Sequence, residues 1–387
     1  MNWPWILLLI PVSFFAGWLF SQYSNRRQTP RNDFSSEYFR GLNYLLNEEQ
    51  DKALTIFLRL IEEDEDTIDT HFALARIYRQ KGELEKAIQL HQNLIAKPTL
   101  SLTNKSKSLL ELGRDYLQAG WLDRAERLFK EVISIGLDVD EASRFLLMIY
   151  HQEKEWQKAI DASKALNAQD SRQLKTTIAQ YYCELSDAAL RRGEDSVAEQ
   201  YGRQALGIDD KCARASIILG RIFKSSEQYK KAIKHFLQIE QQDIEFLPVV
   251  ITDLIECHRE LGTQARLVDY LLQVEENYPE LALLEPVSQL IEKEQGADAV
   301  ISYLAGKLKT KPTMCGAKML LAMQRKVDCP GASQSFCDSV LQTLETVSAS
   351  KPDFQCRQCG YTAQKLYWSC PSCKSWGQIK PVSCEVL

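Results

Sequence analysis

The sequence predicts an all-α solenoid of antiparallel helix pairs, preceded by one transmembrane helix and closed by a small four-cysteine metal module. Three observations predict it. Alanines recur as a ladder at Ala53, Ala87, Ala125, Ala159, Ala198 and Ala232, in steps of 34, 38, 34, 39 and 34 residues. Residues 3–20, WPWILLLIPVSFFAGWLF, carry no charge. Near the other end, Cys356-x2-Cys359 and Cys370-x2-Cys373 stand ten residues apart.

Composition agrees. A chain of 387 residues is too long for one simple core but suits a solenoid with additions. Counts of 17 glycines and 12 prolines are low, which favours long helices over a loop-rich β fold. The net charge of -5 argues against a nucleic-acid partner, which calls for a strong basic excess. Eleven cysteines, an odd and scattered count, fit a reducing compartment with free buried thiols and one metal cluster.

Residues 1–23 read as an uncleaved anchor. Eighteen uncharged residues just suffice to cross a bilayer as a helix. A signal peptide would need a basic start and a small-residue cleavage site, but Ala16-Gly17 runs into bulky Trp18-Leu19-Phe20. Trp3, Trp5, Trp18 and Tyr23 sit at the two ends, where amphipathic rings favour the interface. Arg26, Arg27 and Arg31 follow in the juxtamembrane linker 24–33, and positive charge stays on the cytoplasmic side. The bulk of the chain is therefore expected in the cytoplasm; for the basic cluster two readings stand, a topology signal only or a further contact with anionic headgroups.

The solenoid is expected over 34–312. Its third unit reads Leu109-x2-Leu112-Gly113-x2-Tyr116, then Ala125-x3-Phe129; the sixth repeats Leu219-Gly220-x2-Phe223, then Ala232-x3-Phe236. The first gives Gly41-x2-Tyr44 and Ala53-x3-Phe57, the second Ala75-x2-Tyr78 and Ala87. This pattern resembles the tetratricopeptide repeat, two antiparallel helices in 34 residues. Small residues let paired helices approach, aromatics fill the space beside them, and only a stack buries the apolar faces. Lys97-Pro98 with a loop through Asn104, and a polar stretch at 167–172, account for the longer steps. Beyond Ala232 the pattern fades; Leu267 and Ala299 serve as the next rungs, with Pro279 and Pro312 closing their units, about eight units in all. Residues 313–350, with a loop at Cys329-Pro330-Gly331, read as a helical cap.

The repeat likeness implies that positions 2, 5, 9 and 12 of each first helix face a concave groove. Here they include Arg76, Arg79, Arg114, Arg144, Arg214, Arg221 and Lys224, against the acids Asp69, Glu141 and Asp187. A basic groove for acidic protein partners is one reading; solvated helix faces with local ion pairs are the other. His71, His91, His151, His235 and His258 show no metal or triad spacing and read as packing or groove residues. No phosphate-binding glycine loop, nucleophile elbow or zinc-protease motif is present, so the chain reads as no enzyme. The acidic run Glu62-Glu63-Asp64-Glu65-Asp66 reads as a solvated repeat junction.

Residues 351–387 carry the sharpest chemistry. Each Cys-x-x-Cys presents two thiolates from one turn, and Cys356, Cys359, Cys370 and Cys373 together make a tetrahedral four-sulfur site. Zinc and iron both accept four thiolates. A redox dithiol would need one such pair in a thioredoxin-like setting. Tyr361, Leu366, Tyr367, Trp368, Trp376 and Ile379 are too apolar for so small a knob, so several should pack on the helices. Cys384 lies outside both knuckles and is not expected to be a ligand.

Three stretches carry a closer resemblance: Tyr38-Phe39-Arg40-Gly41-Leu42-Asn43-Tyr44-Leu45-Leu46-Asn47-Glu48, Ala87-Ile88-Gln89-Leu90-His91-Gln92-Asn93-Leu94, and Cys359-Gly360-Tyr361-Thr362-Ala363 with Leu366-Tyr367-Trp368-Ser369-Cys370-Pro371-Ser372-Cys373. In these, and in the order anchor, repeats, metal module, the chain resembles the lipopolysaccharide assembly protein B family. The resemblance implies a rubredoxin-like metal module with Cys356, Cys359, Cys370 and Cys373 as ligands. It implies a non-enzymatic inner-membrane adaptor of Gram-negative bacteria. Such an adaptor promotes degradation of the deacetylase LpxC by the membrane protease FtsH, so limiting lipid A synthesis, and meets other lipopolysaccharide-assembly or inner-membrane regulatory proteins. Two other readings stay open: a rubredoxin-like electron carrier docked through the repeats, and a general scaffold for envelope assembly.

Overall fold

The computed structural model describes residues 36–382 apart from 64–67, 167–171, 328–337, 345 and 347–351. Outside the described residues lie the candidate span 3–20, the linker arginines Arg26, Arg27 and Arg31, most of the acidic run after Glu63, the Cys329-Pro330-Gly331 loop and Cys384. Among the described residues no helix is long and apolar enough to cross a membrane.

The chain divides into two units at Leu166/Asn167. The first holds four helix pairs: α1 (36–46) with α2 (Gln50–Glu63), α3 (Ile68–Gln80) with α4 (Leu84–Ile95), α5 (Leu102–Gln118) with α6 (Leu122–Ile135), and α7 (Val139–Glu153) with α8 (Trp156–Ser163). The second pairs α9 (Arg172–Arg191) with α10 (Asp195–Ile208) and α11 (Ala213–Ser225) with α12 (Tyr229–Asp243). A short 3-10 turn at Ile244–Phe246 leads into α13 (Leu247–Glu260) with α14 (Gln264–Asn277), then α15 (Leu284–Gln295) with α16 (Ala297–Thr310). Helix α17 (Met314–Val327) packs Met319, Leu320 and Met323 on the end of that core.

Helix α11, with ten of its 13 residues buried, is covered on nearly every side, whereas a helix such as α6 is amphipathic with one apolar stripe. In α6 it is Ala125, Phe129 and Val132, spaced i, i+4, i+7 and all buried. All six ladder alanines are 0% exposed, because each lies where paired helices touch. Opposite them the small residues of the first helices admit aromatic rings: a Cβ on Gly113 would sit 2.6 Å from Cε1 of Phe129. We expect Gly113→Val to cost about 1–3 kcal/mol by overpacking, read as a lower denaturant midpoint.

The turn inside seven of the eight pairs repeats as one motif; in the α15–α16 turn the Gly296 N–H instead donates to the Glu292 carbonyl at 3.0 Å. The Glu83 N–H donates to the Tyr78 carbonyl at 2.8 Å, and the Gly82 N–H to that of Arg79 at 3.1 Å; Trp121 to Tyr116 and Gln228 to Phe223 repeat the first bond at 2.8 Å each. This Schellman ending needs a left-handed residue, supplied by Gly82 and Gly120 at φ 78° each, but by Glu227 at φ 59° in the sixth pair. Relieving that strain by Glu227→Gly should raise unfolding free energy by about 0.5–1 kcal/mol, seen as a higher Tm.

Two details differ from the sequence expectation. Ser101 caps α5 by accepting from the Asn104 N–H at 3.2 Å, so the helix begins at Leu102 and the loop after Lys97-Pro98 is shorter than expected. In the last pair Val300 is the fully buried residue and Ala299 is only half-buried, so the rung slips by one position.

Candidate metal centre and its docking surface

The terminal module is a three-stranded antiparallel sheet in the order β2-β1-β3, from β1 (Phe354–Cys356), β2 (Thr362–Ala363) and β3 (Ile379–Pro381). Two equivalent knuckles hang from it. In the first, the Gly360 N–H donates to the Cys356 carbonyl at 2.9 Å and the Cys356 N–H to that of Tyr361 at 2.8 Å. In the second, Lys374 bonds to Cys370 and Cys370 to Ser375, both at 2.9 Å. Gly360 (φ 77°) and Lys374 (φ 60°) take the left-handed turn that aims both thiols of a knuckle the same way.

The four sequence-predicted cysteines come together: the Sγ atoms of Cys356, Cys359, Cys370 and Cys373 all lie within 4.8 Å of one another. The pairs Cys356–Cys373 and Cys359–Cys370 stand at 3.8 and 3.7 Å. A tetrahedron with metal–sulfur bonds of about 2.3 Å has edges of about 3.8 Å, so the donor set fits one ion. The spacing is far beyond a disulfide bond of about 2.05 Å. Cys356 and Cys370 are buried, Cys373 is half-buried and Cys359 is exposed. A hydrogen bond from the Ser375 hydroxyl, at 2.9 Å, holds the Cys373 thiol down to about 6, the thiolate form a metal requires. Such a set can hold iron or zinc with no coordination position left open.

The module packs against the repeats of the second unit. Trp368 packs against Phe246 at 4.9 Å between centroids with the rings tilted by 42°, and Trp376 meets the edge of Tyr181 at 6.2 Å. The Arg214 guanidinium lies over both indoles, 5.4 Å from Trp368 and 6.0 Å from Trp376. Lys380, 5% exposed, pairs with Asp243 and sits 3.7 Å from the Phe246 ring centre. Burial lowers its pKa against the opposing pull of Asp243. Arg357 bonds Glu245 at 3.1 Å on the rim. Leu366 also joins the helical core, whereas Ile379 fills the module's own centre and Tyr361 and Tyr367 stay exposed.

The cations expected to line a groove have diverse settings. Arg214 is 3% exposed, held by Glu184 at 2.8 Å and Asp187 at 2.6 Å; it is a docking residue under the module and not an open contact. Arg79 is also buried, between Glu111 and Asp115, and Asp115 in turn holds Nδ1 of His91 at 2.6 Å. Arg114 leans on Glu111 at 2.8 Å, Arg221 on Asp253 at 3.0 Å, and Lys224 on Asp253 and Glu256. Arg76 and Arg144 are exposed. Apart from the Arg114–Glu111 pair within α5, these acids come from neighbouring helices about 30 residues away, and counting charges along helix positions names only Asp187 among them.

Stacked helix pairs with a four-thiol knuckle module seated on them define a tetratricopeptide-repeat protein with a rubredoxin-type metal-binding domain. Residues 354–381 match the rubredoxin metal binding domain family, and residues 70–102 and 110–171 match tetratricopeptide repeat families. The chain is 32% identical over 380 residues to lipopolysaccharide assembly protein B of Escherichia coli (strain K12), covering 97% of each. To the protein of that name from Haemophilus influenzae it is 29% identical over 396 residues, 98% of each. The chain belongs to the lipopolysaccharide assembly protein B family. Among solved structures it is similar to Naa15/Naa10 bound to HypK-THB, at 13% identity and TM-score 0.46 over 83% of this chain and 52% of that one.

Proposed function

We propose that this chain is a non-enzymatic adaptor of the inner membrane that limits lipid A synthesis by promoting FtsH-dependent proteolysis of LpxC. The observation carrying the reading is family membership over nearly the whole length. The repeats offer protein-binding surface, with exposed Arg76 and Arg144 and the paired Arg114, Arg221 and Lys224 as candidate contacts alongside other lipopolysaccharide-assembly proteins. The anchor concentrates the chain beside a membrane protease without any new contact. Cys356, Cys359, Cys370 and Cys373 hold one iron or zinc ion as a structural clamp, since four thiolates leave no position for water or substrate.

The test is the LpxC level in a strain depleted of the chain. LpxC should accumulate on depletion and return to normal on re-expression; an unchanged level ends this reading. A reporter fused after Leu387 should be active only if it works in the cytoplasm, because Arg26, Arg27 and Arg31 follow the span. The reverse pattern would place the repeats away from both LpxC and a reducing compartment. Exposure of Cys359 favours one second reading, electron transfer through an iron centre. Reversible reduction of the purified protein at a biological potential would support it, and zinc in the site would end it.

A further inference from the structure

We infer that the first unit binds a short extended peptide segment in which apolar side chains are followed by acidic ones. The inference rests on the adaptor reading only for its biological use. A cleft runs across the first helices of three successive pairs, from Tyr38, Leu42 and Leu45 of α1, past Phe72 and Arg76 of α3, to Lys107 and Arg114 of α5. Its two ends differ in chemistry. The α1 end is apolar, and the α3–α5 end is cationic.

Beneath the cationic end, Arg79 is neutralised by Glu111 and Asp115, so it belongs to the floor. Arg114 is engaged by Glu111 at 2.8 Å and by Glu141 at 3.8 Å. Two cations on the wall, Arg76 and Lys107, are exposed and have no carboxylate partner among the described residues. Lys107 lies over the Phe72 ring at 4.9 Å, which holds its charge at the boundary between the two halves. Asp69, in the first turn of α3, also lines the cleft and lies near Tyr38 at its α1 end.

A partner must complement this gradient. Neighbouring helices lie about 8–10 Å apart, so the cleft is about 20 Å long and takes about six extended residues. Carboxylates set against Arg76 and Lys107 gain two ion pairs beside an apolar wall, and apolar side chains at the other end cover Leu42, Leu45 and Tyr38. A uniformly acidic segment leaves the apolar half wet, and a uniformly apolar one leaves both cations unpaired.

The test uses the full chain in lipid nanodiscs and three fluorescein-labelled hexapeptides: Leu-Leu-Ser-Glu-Glu-Glu, Leu-Leu-Ser-Gln-Gln-Gln and Ser-Ser-Ser-Glu-Glu-Glu. Fluorescence anisotropy should show the first binding roughly tenfold or more tightly than the other two. The double variant Arg76→Glu with Lys107→Glu should lose that preference with an unchanged melting curve, since both substitutions are exposed. Added salt should weaken the parent's binding of the first peptide. Equal binding of all three peptides, no binding of the first, or a double variant that still prefers it would each overturn the inference. Such a result in a chain that still restores LpxC turnover would leave the adaptor reading standing.

Discussion

Replacing Cys356 and Cys359 together with serine should release the metal and unfold the whole terminal module. Its own core is little more than Cys356, Cys370 and Ile379, and its strands are two or three residues long. So small a core cannot fold alone. In structural four-ligand sites, metal binding supplies about 10–16 kcal/mol of apparent folding free energy. Without it Trp368 and Trp376 should leave Phe246, Tyr181 and Arg214 and meet water. Metal analysis should read zero, tryptophan emission should shift to the red, and limited proteolysis should remove the chain beyond residue 352. LpxC should then accumulate although the anchor is intact. A metal-free variant with a protease-resistant module and normal LpxC turnover would show that the site is dispensable.

Arg214→Leu should separate docking from metal binding. Arg214 bridges Glu184 and Asp187 of α9 to the two indoles of the module, so one side chain serves both partners. Removing one member of a buried ionic cluster costs about 3–5 kcal/mol. Glu184 and Asp187 retain some contact with water, so about 2 kcal/mol is the fitting expectation here. The variant should keep its metal while the module becomes accessible to protease at its junction with the repeats. Arg214→Lys should fall between, since an ammonium keeps the charge but loses the planar fork that lies over the rings. Loss of metal in Arg214→Leu would mean that docking and metal site are one folding event, and this division of roles would fail.

Legibility in the sequence followed distance along the chain. The alanine ladder and the aromatic partners at Tyr116 and Phe129 lie within one repeat, and their spacing is set by two helices and a turn. Both knuckles fall within 18 residues, Cys356 to Cys373, so their ligand spacing reads directly. The last rung failed because Ala299 and Val300 are adjacent and both apolar; only the seating of α16 on its neighbours chose Val300. The groove expectation was incomplete for a related reason. A basic residue at a helix position states a charge, but its partner, such as Glu111 for Arg79 or Asp253 for Arg221, stands on the next first helix.

By itself, then, the sequence determined the repeat, its small and aromatic packing positions in the clearest units and the four thiols, because local spacing decides which side chains share a face or a turn. Tertiary structure alone decided which cations are spent on acids, which remain open at Arg76 and Lys107, and where the metal module sits. Lys380 meets Asp243 across 137 residues, and Trp368 reaches Arg214 from the far end of the chain. No period in a sequence records such pairs, since they exist only once the stack has formed and presents Arg214, Asp243 and Phe246 as one surface.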